Sequence, residues 1–364
     1  MADPPETLAD LGEWELIRRL GAFAPPGQFA DDAALLPGVG HGGQEGRLVV
    51  NTDVLVEGLH FSAATTEPAD VGWRAAAANL SDLAAMGCTE VVGLTVGLVA
   101  PASTTWRWVE GVYGGLREAL EAYGGVLLGG DCSGGAQRLL AITAIGRLGG
   151  APTATGQPDH IASSGPIRRG DGRPGDWLVC TGPHGLSRLG LALLQGEFPE
   201  ESAASLAPLG ALLDPNLRLR AITAHRRPVP RFDAVRALIA YRPAGLTWRV
   251  GGCDSSDGLV AAAAAIATSS NCGARLLRAA LPLDPAMAGL PQAEDWCLGG
   301  GEDFELVLAL EPAWAKALIA ALPGTTRVGE LVGGKAGSLG WAGGDTWPMG
   351  EAAGQSNLGY RHFG

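Results

Sequence analysis

The sequence predicts a mixed α/β (α+β) protein of two domains, and three observations support this fold class. The chain has 364 residues, of which 46% are hydrophobic, so it is long and apolar enough for two domains with a large core. Segments with β-strand composition alternate with segments of helical periodicity. The stretch Gly149–Gly165, rich in Gly, Pro, Ser and Thr, is typical of a linker. We therefore expect an N-terminal domain over residues 1–150, a mobile loop over 151–165 and a C-terminal domain over 166–364.

The predicted strands are runs rich in Val, Leu, Ile or Thr that end at Gly, Pro or Asp. They are Leu48–Val56, Val91–Ala100, Leu139–Gly146, Trp177–Thr181 and Phe304–Leu310.

The predicted helices lie between these strands. The first begins with Pro68 and an acidic turn, and its apolar residues then recur at helical spacing. The predicted helical segments are Pro68–Met86, Ser103–Tyr123, His184–Gln195, Asp257–Ala267 and Pro312–Leu322.

The charge of the chain excludes several classes of function. The formal net charge is −12, which is unfavourable for general nucleic-acid binding, because that affinity rests on basic side chains against phosphate. The two lysines, Lys316 and Lys335, are each followed by Ala, so neither completes a P-loop. Neither lies near the N-terminus, where a protein-kinase core places its strand lysine beside a Gly-rich loop.

The N-terminal residues have no apolar core of the kind found in a signal peptide, and the longest apolar run is too short to span a bilayer. We expect a cytoplasmic protein that acts without a membrane. The six cysteines form no CxxC pair and lie in apolar runs, so we expect buried free thiols. They are Cys88, Cys132, Cys180, Cys253, Cys272 and Cys297.

The acidic residues have an unusual distribution, because many follow an apolar run or stand beside Gly rather than on a charged helix face. Such acids need pairing or a metal, and Mg²⁺ is commonly bound by carboxylates together with substrate phosphates. Glycines beside them allow close approach of a ligand to the backbone. The competing interpretation is that each Asp is an N-cap or turn residue. The acids concerned are Asp31, Asp32, Asp53, Asp82, Asp131, Asp254, Asp257, Glu302 and Asp303.

Other catalytic patterns are missing from the sequence. The histidines form no HExxH pair, so a zinc hydrolase is not supported. There is no GxSxG elbow, and no GxGxxG follows the first strand, so neither an α/β-hydrolase nor a Rossmann dehydrogenase is supported.

Five motifs occur in a characteristic order: NTDVLVEGLHF, NLSDLAAMG, LLGGD, SDGL and GGEDFEL. In this they resemble the thiamine-monophosphate kinase family of the aminoimidazole ribonucleotide synthetase-like superfamily. The resemblance runs from about Asp31 to the closing GYRHF. It implies direct in-line transfer of a phosphoryl group from ATP to thiamine monophosphate, aided by several Mg²⁺ ions. It also implies an N-terminal domain that binds ATP and Mg²⁺ and dimerises through its sheet, a C-terminal α/β domain, and two sites where the domains meet at the dimer interface.

The resemblance also assigns roles to individual residues. It implies no catalytic base, because a phosphate acceptor is already ionised at neutral pH. For Tyr113, packing in the core is the competing interpretation. The implied Mg²⁺ ligands are Asp32, Thr52, Asp53, Asp82, Asp131, Asp254 and Asp257. The implied ATP-binding residues are Asp32, Tyr113, Gly130, Asp131, Arg169 and Ser256, and those for thiamine monophosphate are His60, Glu302 and Tyr360.

The sequence departs from the family pattern at a few positions. Ala30 replaces the usual Gly before the Asp pair, and it would strain a turn that needs a positive φ. Asn51 replaces the usual Ser before Thr52-Asp53, although it can still supply an oxygen. Gly170–Gly172 places an extra acid beside Arg169.

Two alternative functions remain open from the sequence. One is a sister ATP-dependent synthetase of the same superfamily; a selenophosphate synthetase lacks support because no Cys or Lys lies near the N-terminus, whereas a purine-pathway enzyme stays possible. The other is a non-catalytic nucleotide-binding homologue, which the substitution at Ala30 favours and the intact acids oppose.

Overall fold

A computed structural model describes residues 7–36, 48–149, 164–196 and 213–344. Two mixed β-sheets lie in succession along the chain. The first is built from residues 34–148 and the second from residues 177–341, so each sheet falls within one of the two predicted domains.

The first sheet has five strands in the order β1-β2-β5-β3-β4. Neighbouring strands are antiparallel except β3 and β4, which are parallel. Side chains of β5 alternate between buried and half-buried along the strand, so one face of the sheet lies against the core. The strands are β1 (Ala34–Leu35), β2 (Leu48–Val56), β3 (Cys88–Ala100), β4 (Val126–Gly134) and β5 (Leu139–Leu148).

Two long helices, α2 (Pro68–Ala85) and α3 (Trp106–Tyr123), accompany this sheet. They cross closely, because Gly72 of α2 and Gly115 of α3 lie against the backbone of the opposite helix. A Cβ atom built on Gly72 would lie 1.9 Å from the Val112 carbonyl oxygen. A preceding helix, α1 (Leu8–Leu20), begins with a capping box between Thr7 and Asp10.

The second sheet has six strands in the order β11-β8-β10-β6-β9-β7. Every pairing is antiparallel except that of β8 with β11. Strand β9 is buried along its whole length, which explains its uninterrupted apolar sequence. The strands are β6 (Trp177–Cys180), β7 (Gly251–Asp254), β8 (Gly273–Leu276), β9 (Leu306–Leu310), β10 (Thr326–Val332) and β11 (Leu339–Trp341).

The helices of the second half surround this sheet and also reach the first. Helix α6 contributes Phe232, Val235 and Leu238 to a core that continues into both sheets. The helices are α4 (Leu186–Gln195), α5 (Pro215–Arg226), α6 (Phe232–Ala240), α7 (Leu259–Ser269), α8 (Ala293–Gly299) and α9 (Pro312–Ala321).

The structure corrects one expectation about the cysteines. Five of the six thiols are buried, but Cys132 is exposed. It lies in β4, whose nine residues are all exposed although the strand is partly apolar. An apolar strand composition therefore does not show burial by itself. In the parts of the chain that the structure describes, no helix has both the length and the apolar composition required to cross a bilayer.

Candidate active site

Three carboxylates meet where α2 packs against β7 of the second sheet. Oxygen atoms of Asp32, Asp82 and Asp254 all lie within 4.8 Å of one another. Asp32 precedes β1, Asp82 lies in the last turn of α2, and Asp254 ends β7. Residues from three distant parts of the chain thus form one acidic cluster, as the distribution of acids in the sequence predicts.

Neighbouring side chains hold these carboxylates in place. The Asn51 amide nitrogen donates to Asp82 at 2.7 Å, and the Ser81 hydroxyl donates to Asp254 at 2.7 Å. The Ser256 hydroxyl donates to the other oxygen of Asp254 at 3.1 Å. Arg169 forms an ion pair with Asp32. Each acid of the cluster therefore has a defined orientation before any ligand binds.

Burial makes the charged state of this cluster unfavourable. Burial raises the pKa of Asp32 to about 7, against the opposing effect of Arg169. Burial, and then the charges of Asp53, Asp254 and Asp32, raise the pKa of Asp82 well above its usual range. Burial also raises the pKa of Asp254. Carboxylates crowded in this way are stabilised in their charged form by a cation.

The donor set fits Mg²⁺. All three cluster members offer carboxylate oxygens, which are the ligands that this hard cation prefers. The side-chain oxygen of Asn51 is buried beside Asp82 and has no hydrogen-bond partner in the described part of the chain. Its amide nitrogen, not its oxygen, contacts the cluster, so Asn51 acts here as a donor that orients Asp82.

Asp53 belongs to the same side of the sheet as the cluster. It lies two residues after Asn51 in β2, its backbone N–H donates to the Asn79 side chain at 3.1 Å, and its charge acts on Asp82. The sequence NLSDLAAMG therefore supplies Asn79, Ser81 and Asp82 from one helical face and its flank. Sequence reasoning named only Asp82 as a ligand and missed the two supporting residues.

Thr52 and Asp131 lie on the face of the first sheet that is opposite to the face with Asn51 and Asp53. The Thr52 hydroxyl is exposed and contacts the Thr143 hydroxyl at 2.8 Å. Asp131 is aligned across the sheet with Gly97, Ala141 and Val54, a row on the same face as Thr52.

Gly130 occupies a position in β4 where the structure requires glycine. Gly130 is aligned across the sheet with Asp53, which lies beside the acidic cluster. The two residues are three strands apart, so their backbones are separated by about 14 Å. A Cβ atom on Gly130 would lie 1.9 Å from the Val96 carbonyl oxygen, so the close pairing of β4 with β3 demands glycine here whether or not phosphate binds. Within one chain, the structure does not bring Gly130 and Asp131 to the acidic cluster.

Ser256 and Asp257 form the turn that leads from β7 into α7. Ser256 contacts Asp254 directly, whereas the side chain of Asp257 is exposed. Gly258 has a φ of 100° and precedes the first residue of the helix. Tyr113 is half-buried in α3 and packs against the core, and burial raises its pKa.

The structure shows how the chain accommodates its departures from the family pattern at Ala30 and beside Arg169. Ala30 is not among the residues with positive φ in the described chain, so it imposes no strain of the expected kind. Arg169 is already paired with Asp32, and its backbone N–H donates to Asp31 at 2.9 Å. The extra acid, Asp171, lies in the same short helical turn as Arg169, and burial raises its pKa.

The predicted substrate residues His60 and Glu302 are both contacted by Arg74, a residue that sequence reasoning missed. Arg74 of α2 donates to the His60 carbonyl oxygen at 3.4 Å and to the Glu302 carboxylate at 2.5 Å. The signal available in the sequence was a single arginine inside an Ala-rich helix. The His60 ring nitrogen Nδ1 accepts from the Val56 N–H at 3.0 Å, which fixes the ring in the turn after β2. Tyr360 lies outside the described residues.

Known proteins share both the sequence and this architecture. Residues 30–148 match a family model described as AIR synthase related protein, N-terminal domain. The thiamine-monophosphate kinase of Prochlorococcus marinus is 44% identical over 343 residues, covering 94% of each chain. That of Synechococcus elongatus is 46% identical over 319 residues, covering 87% of each chain.

The chain belongs to the thiamine-monophosphate kinase family. Similarity at this level over nearly the whole length confirms the family indicated by the five sequence motifs, and with it a family of phosphotransferases. The fold agrees: a structure of AaThiL complexed with AMPPCP and TMP superimposes with a TM-score of 0.75 at 26% identity, covering 98% of this chain and 99% of the other.

Proposed function

We propose that this protein transfers the terminal phosphoryl group of ATP to thiamine monophosphate and releases thiamine diphosphate and ADP. The observation that carries the proposal is the cluster of Asp32, Asp82 and Asp254 in a chain of this kinase family. A related enzyme has been captured with a nucleotide analogue and TMP together, which supports a site that accepts both substrates at once.

The acidic cluster is the proposed Mg²⁺ site. Asp32, Asp82 and Asp254 would hold the metal, with Asp53 beside them. When bound, Mg²⁺ neutralises phosphate charge and aligns the ATP chain with the acceptor phosphate. Hydrogen bonds from Asn51, Ser81 and Ser256 orient the carboxylates of Asp82 and Asp254.

ATP binding is assigned to residues next to this cluster. Arg169 supplies positive charge for the phosphates and would exchange its ion pair with Asp32 for one with ATP once a metal neutralises that acid. Ser256 and Asp257 lie at the start of α7, where free backbone N–H groups favour an anion. Transfer needs positioning and charge neutralisation and no protein nucleophile, so no covalent intermediate on the enzyme is proposed.

Thiamine monophosphate would bind on the other side of the cluster, between His60 and Glu302. Its thiazolium ring is a permanent cation, and Glu302 offers a carboxylate that is one-third exposed. His60 is held in its turn by the Val56 N–H. A carboxylate facing a cationic ring gives selectivity for this substrate over neutral acceptors.

The proposed active form is a homodimer. Strand β4 is a sheet edge with every residue exposed, and the apolar side chains of Val126, Leu127 and Leu128 are each about half exposed. Exposed apolar sheet edges are typical of pairing surfaces. Gly130 and Asp131 lie far from the acidic cluster of their own chain, so we propose that they complete the site of the partner subunit.

A coupled ADP-release assay tests the function. With Mg-ATP we expect turnover with thiamine monophosphate and none with thiamine or with aminoimidazole ribonucleotide precursors. Chromatography should show thiamine diphosphate as the product, and EDTA should abolish the reaction until Mg²⁺ is restored. A folded protein that binds Mg-ATP and turns over none of these substrates would contradict the proposal and favour a non-catalytic nucleotide-binding role.

A further inference from the structure

A buried arginine on α2 joins the two halves of the molecule at the proposed substrate site. The side chain of Arg74 is only 4% exposed. Its guanidinium donates to the backbone carbonyl oxygens of His60 and His225 and to the Glu302 carboxylate. One rigid group therefore contacts the turn after β2, the last turn of α5 and the loop before β9.

Arg74 supplies the positive charge for Glu302. His225 also lies 3.5 Å from this carboxylate, through its Nδ1 atom. Burial and the positive charges of Arg74, Arg226 and Arg188 lower the pKa of His225 to about 2, so the imidazole is neutral. The Ser187 hydroxyl lies 3.2 Å from the same Nδ1 atom and can satisfy it by a neutral hydrogen bond. Of the two groups, only Arg74 therefore pairs with Glu302 as a cation.

The backbone at Glu302 is strained in a way that suits a fixed binding group. Glu302 and Phe304 have φ values of 57° and 51°, in the left-handed region that L side chains rarely adopt. The Glu302 N–H donates to the Ser256 carbonyl oxygen at 2.6 Å, which fastens the loop to the turn beside the acidic cluster. Strain of this kind persists where the surroundings fix the conformation, and it concentrates at binding sites.

We propose that Arg74 is the positioning residue for thiamine-monophosphate recognition. It holds the Glu302 carboxylate and the His60 turn at a fixed separation, so that a cationic ring enters a preformed site. The inference rests on the proposed function and adds a residue that acts on the substrate only through Glu302 and His60.

A purely structural role explains this arrangement less well. A buried ion pair gains little net stability, because desolvation of both groups offsets their attraction. The same helix already has a second link to the C-terminal half, in which Arg227 pairs with Asp70 and lies over the Trp73 ring. The side-chain contacts of Arg227 in the described residues are with Asp70, Glu118 and Trp73 and not with His60 or Glu302, so Arg227 provides a matched control.

The experiment compares KM for thiamine monophosphate, KM for ATP and kcat in the full-length protein. The variants are Arg74→Met, Arg74→Lys, Glu302→Gln, the double variant Arg74→Met/Glu302→Gln and the control Arg227→Met. We expect Arg74→Met to raise KM for thiamine monophosphate about tenfold or more while KM for ATP changes less than about twofold. Arg74→Lys should recover part of this loss, because the charge remains.

The double variant separates positioning from folding. With Glu302 replaced, Arg74→Met should raise KM for thiamine monophosphate by a clearly smaller factor than it does alone, since its action through Glu302 is already lost and only that through His60 remains. Arg227→Met should lower thermal stability and leave both KM values unchanged. Should Arg74→Met fail to fold, Arg74→Lys and the double variant, which leaves no unpaired buried charge, give the same comparison.

Several outcomes would overturn the inference. They are equal changes in both KM values, a loss of kcat alone that follows the folded fraction, and additive effects of Arg74 and Glu302 substitutions. If the wild-type protein turns over thiamine monophosphate and Arg74→Met keeps its KM, only this inference fails. If the wild-type protein does not use thiamine monophosphate, the proposed function fails with it.

Discussion

The Ser81 hydroxyl of α2 donates a 2.7 Å hydrogen bond to the carboxylate of Asp254 at the end of β7. Both residues are buried. This bond crosses from the first half of the chain to the second, 173 residues apart, directly at the acidic cluster. The position of a proposed metal ligand in the second half of the chain therefore depends on a small polar side chain in the first half.

Replacing Ser81 with Ala should weaken Mg²⁺ binding more than it weakens ATP binding. A hydrogen bond to a charged acceptor contributes about 1.5–3 kcal/mol, and its loss leaves Asp254 less well oriented. We expect the Mg²⁺ concentration for half-maximal ADP release to rise several-fold. Ser62→Ala, which removes a hydroxyl that contacts the Thr65 hydroxyl and, among the described residues, none of the three clustered acids, should not change it. An unchanged Mg²⁺ requirement in Ser81→Ala would show that Asp254 needs no such support.

Much of the first sheet could be predicted from sequence, because its elements have clear boundaries. The predicted strand Leu48–Val56 has the same bounds in the structure, and the predicted helix from Pro68 ends one residue earlier than expected. The helix expected from Asp257 starts at Leu259 instead. Gly258, with its positive φ, separates the turn from the helix.

Other features depend on tertiary context that a sequence pattern does not contain. The α5 helix is rich in Arg and has no strong apolar stripe, so periodicity did not reveal it. Strand β4 has an apolar composition but is fully exposed, because it forms the edge of the first sheet and its composition does not determine whether it is covered. Arg74 and Ser81 could be recognised only once the fold placed Glu302 and Asp254 beside them.

The crossing of α2 and α3 should depend strongly on Gly72. In Gly72→Ala, the new Cβ atom would lie 1.9 Å from the Val112 carbonyl oxygen, so the helices must separate. We expect a loss of roughly 2–3 kcal/mol in the free energy of unfolding by urea denaturation, as for other overpacked sites.

Gly114→Ala is the matched control on the same helix pair. Nothing lies within 4 Å of a Cβ atom there, so the better helix propensity of Ala should stabilise the protein by up to about 1 kcal/mol. Similar effects of the two substitutions would contradict the close helix crossing.

Acid stability should depend on His184. This residue is fully buried; Nδ1 lies 3.3 Å from the Gly182 carbonyl oxygen and Nε2 lies 2.8 Å from the Ser255 hydroxyl. Burial lowers the pKa of His184 to about 4 in the folded protein. The unfolded chain therefore binds a proton first, and stability that is present above about pH 6.5 is lost as the pH falls towards 4.

The measurement is urea unfolding between pH 8 and pH 4 for the wild type and for His184→Gln, which does not titrate. The wild type should lose about 3 kcal/mol more than the variant over this range, from the separation of the two pKa values. Parallel pH profiles would show that His184 does not titrate with unfolding.

Subunit mixing should reveal whether Asp131 acts in the site of the partner. Asp82→Asn removes a member of the acidic cluster, whereas Asp131→Asn changes an exposed residue on the other face of the sheet. Each variant alone should lose most activity and keep its fold, as judged by circular dichroism and light scattering. In a homodimer with shared sites, a mixed dimer of the two variants has both defects in one site and leaves the other site intact.

Equal amounts of the variants, dissociated and reassociated together, should therefore recover about a quarter of wild-type activity, because half of the dimers are mixed and each has one intact site. Mixing Asp82→Asn with Asp53→Asn is the control, since both residues lie beside the same cluster, and it should recover nothing. Recovery is impossible if Asp131 serves its own chain, because every site in the mixture then carries one defect. A monomer in light scattering, or no recovery from a confirmed mixed dimer, would remove the shared site from the proposal.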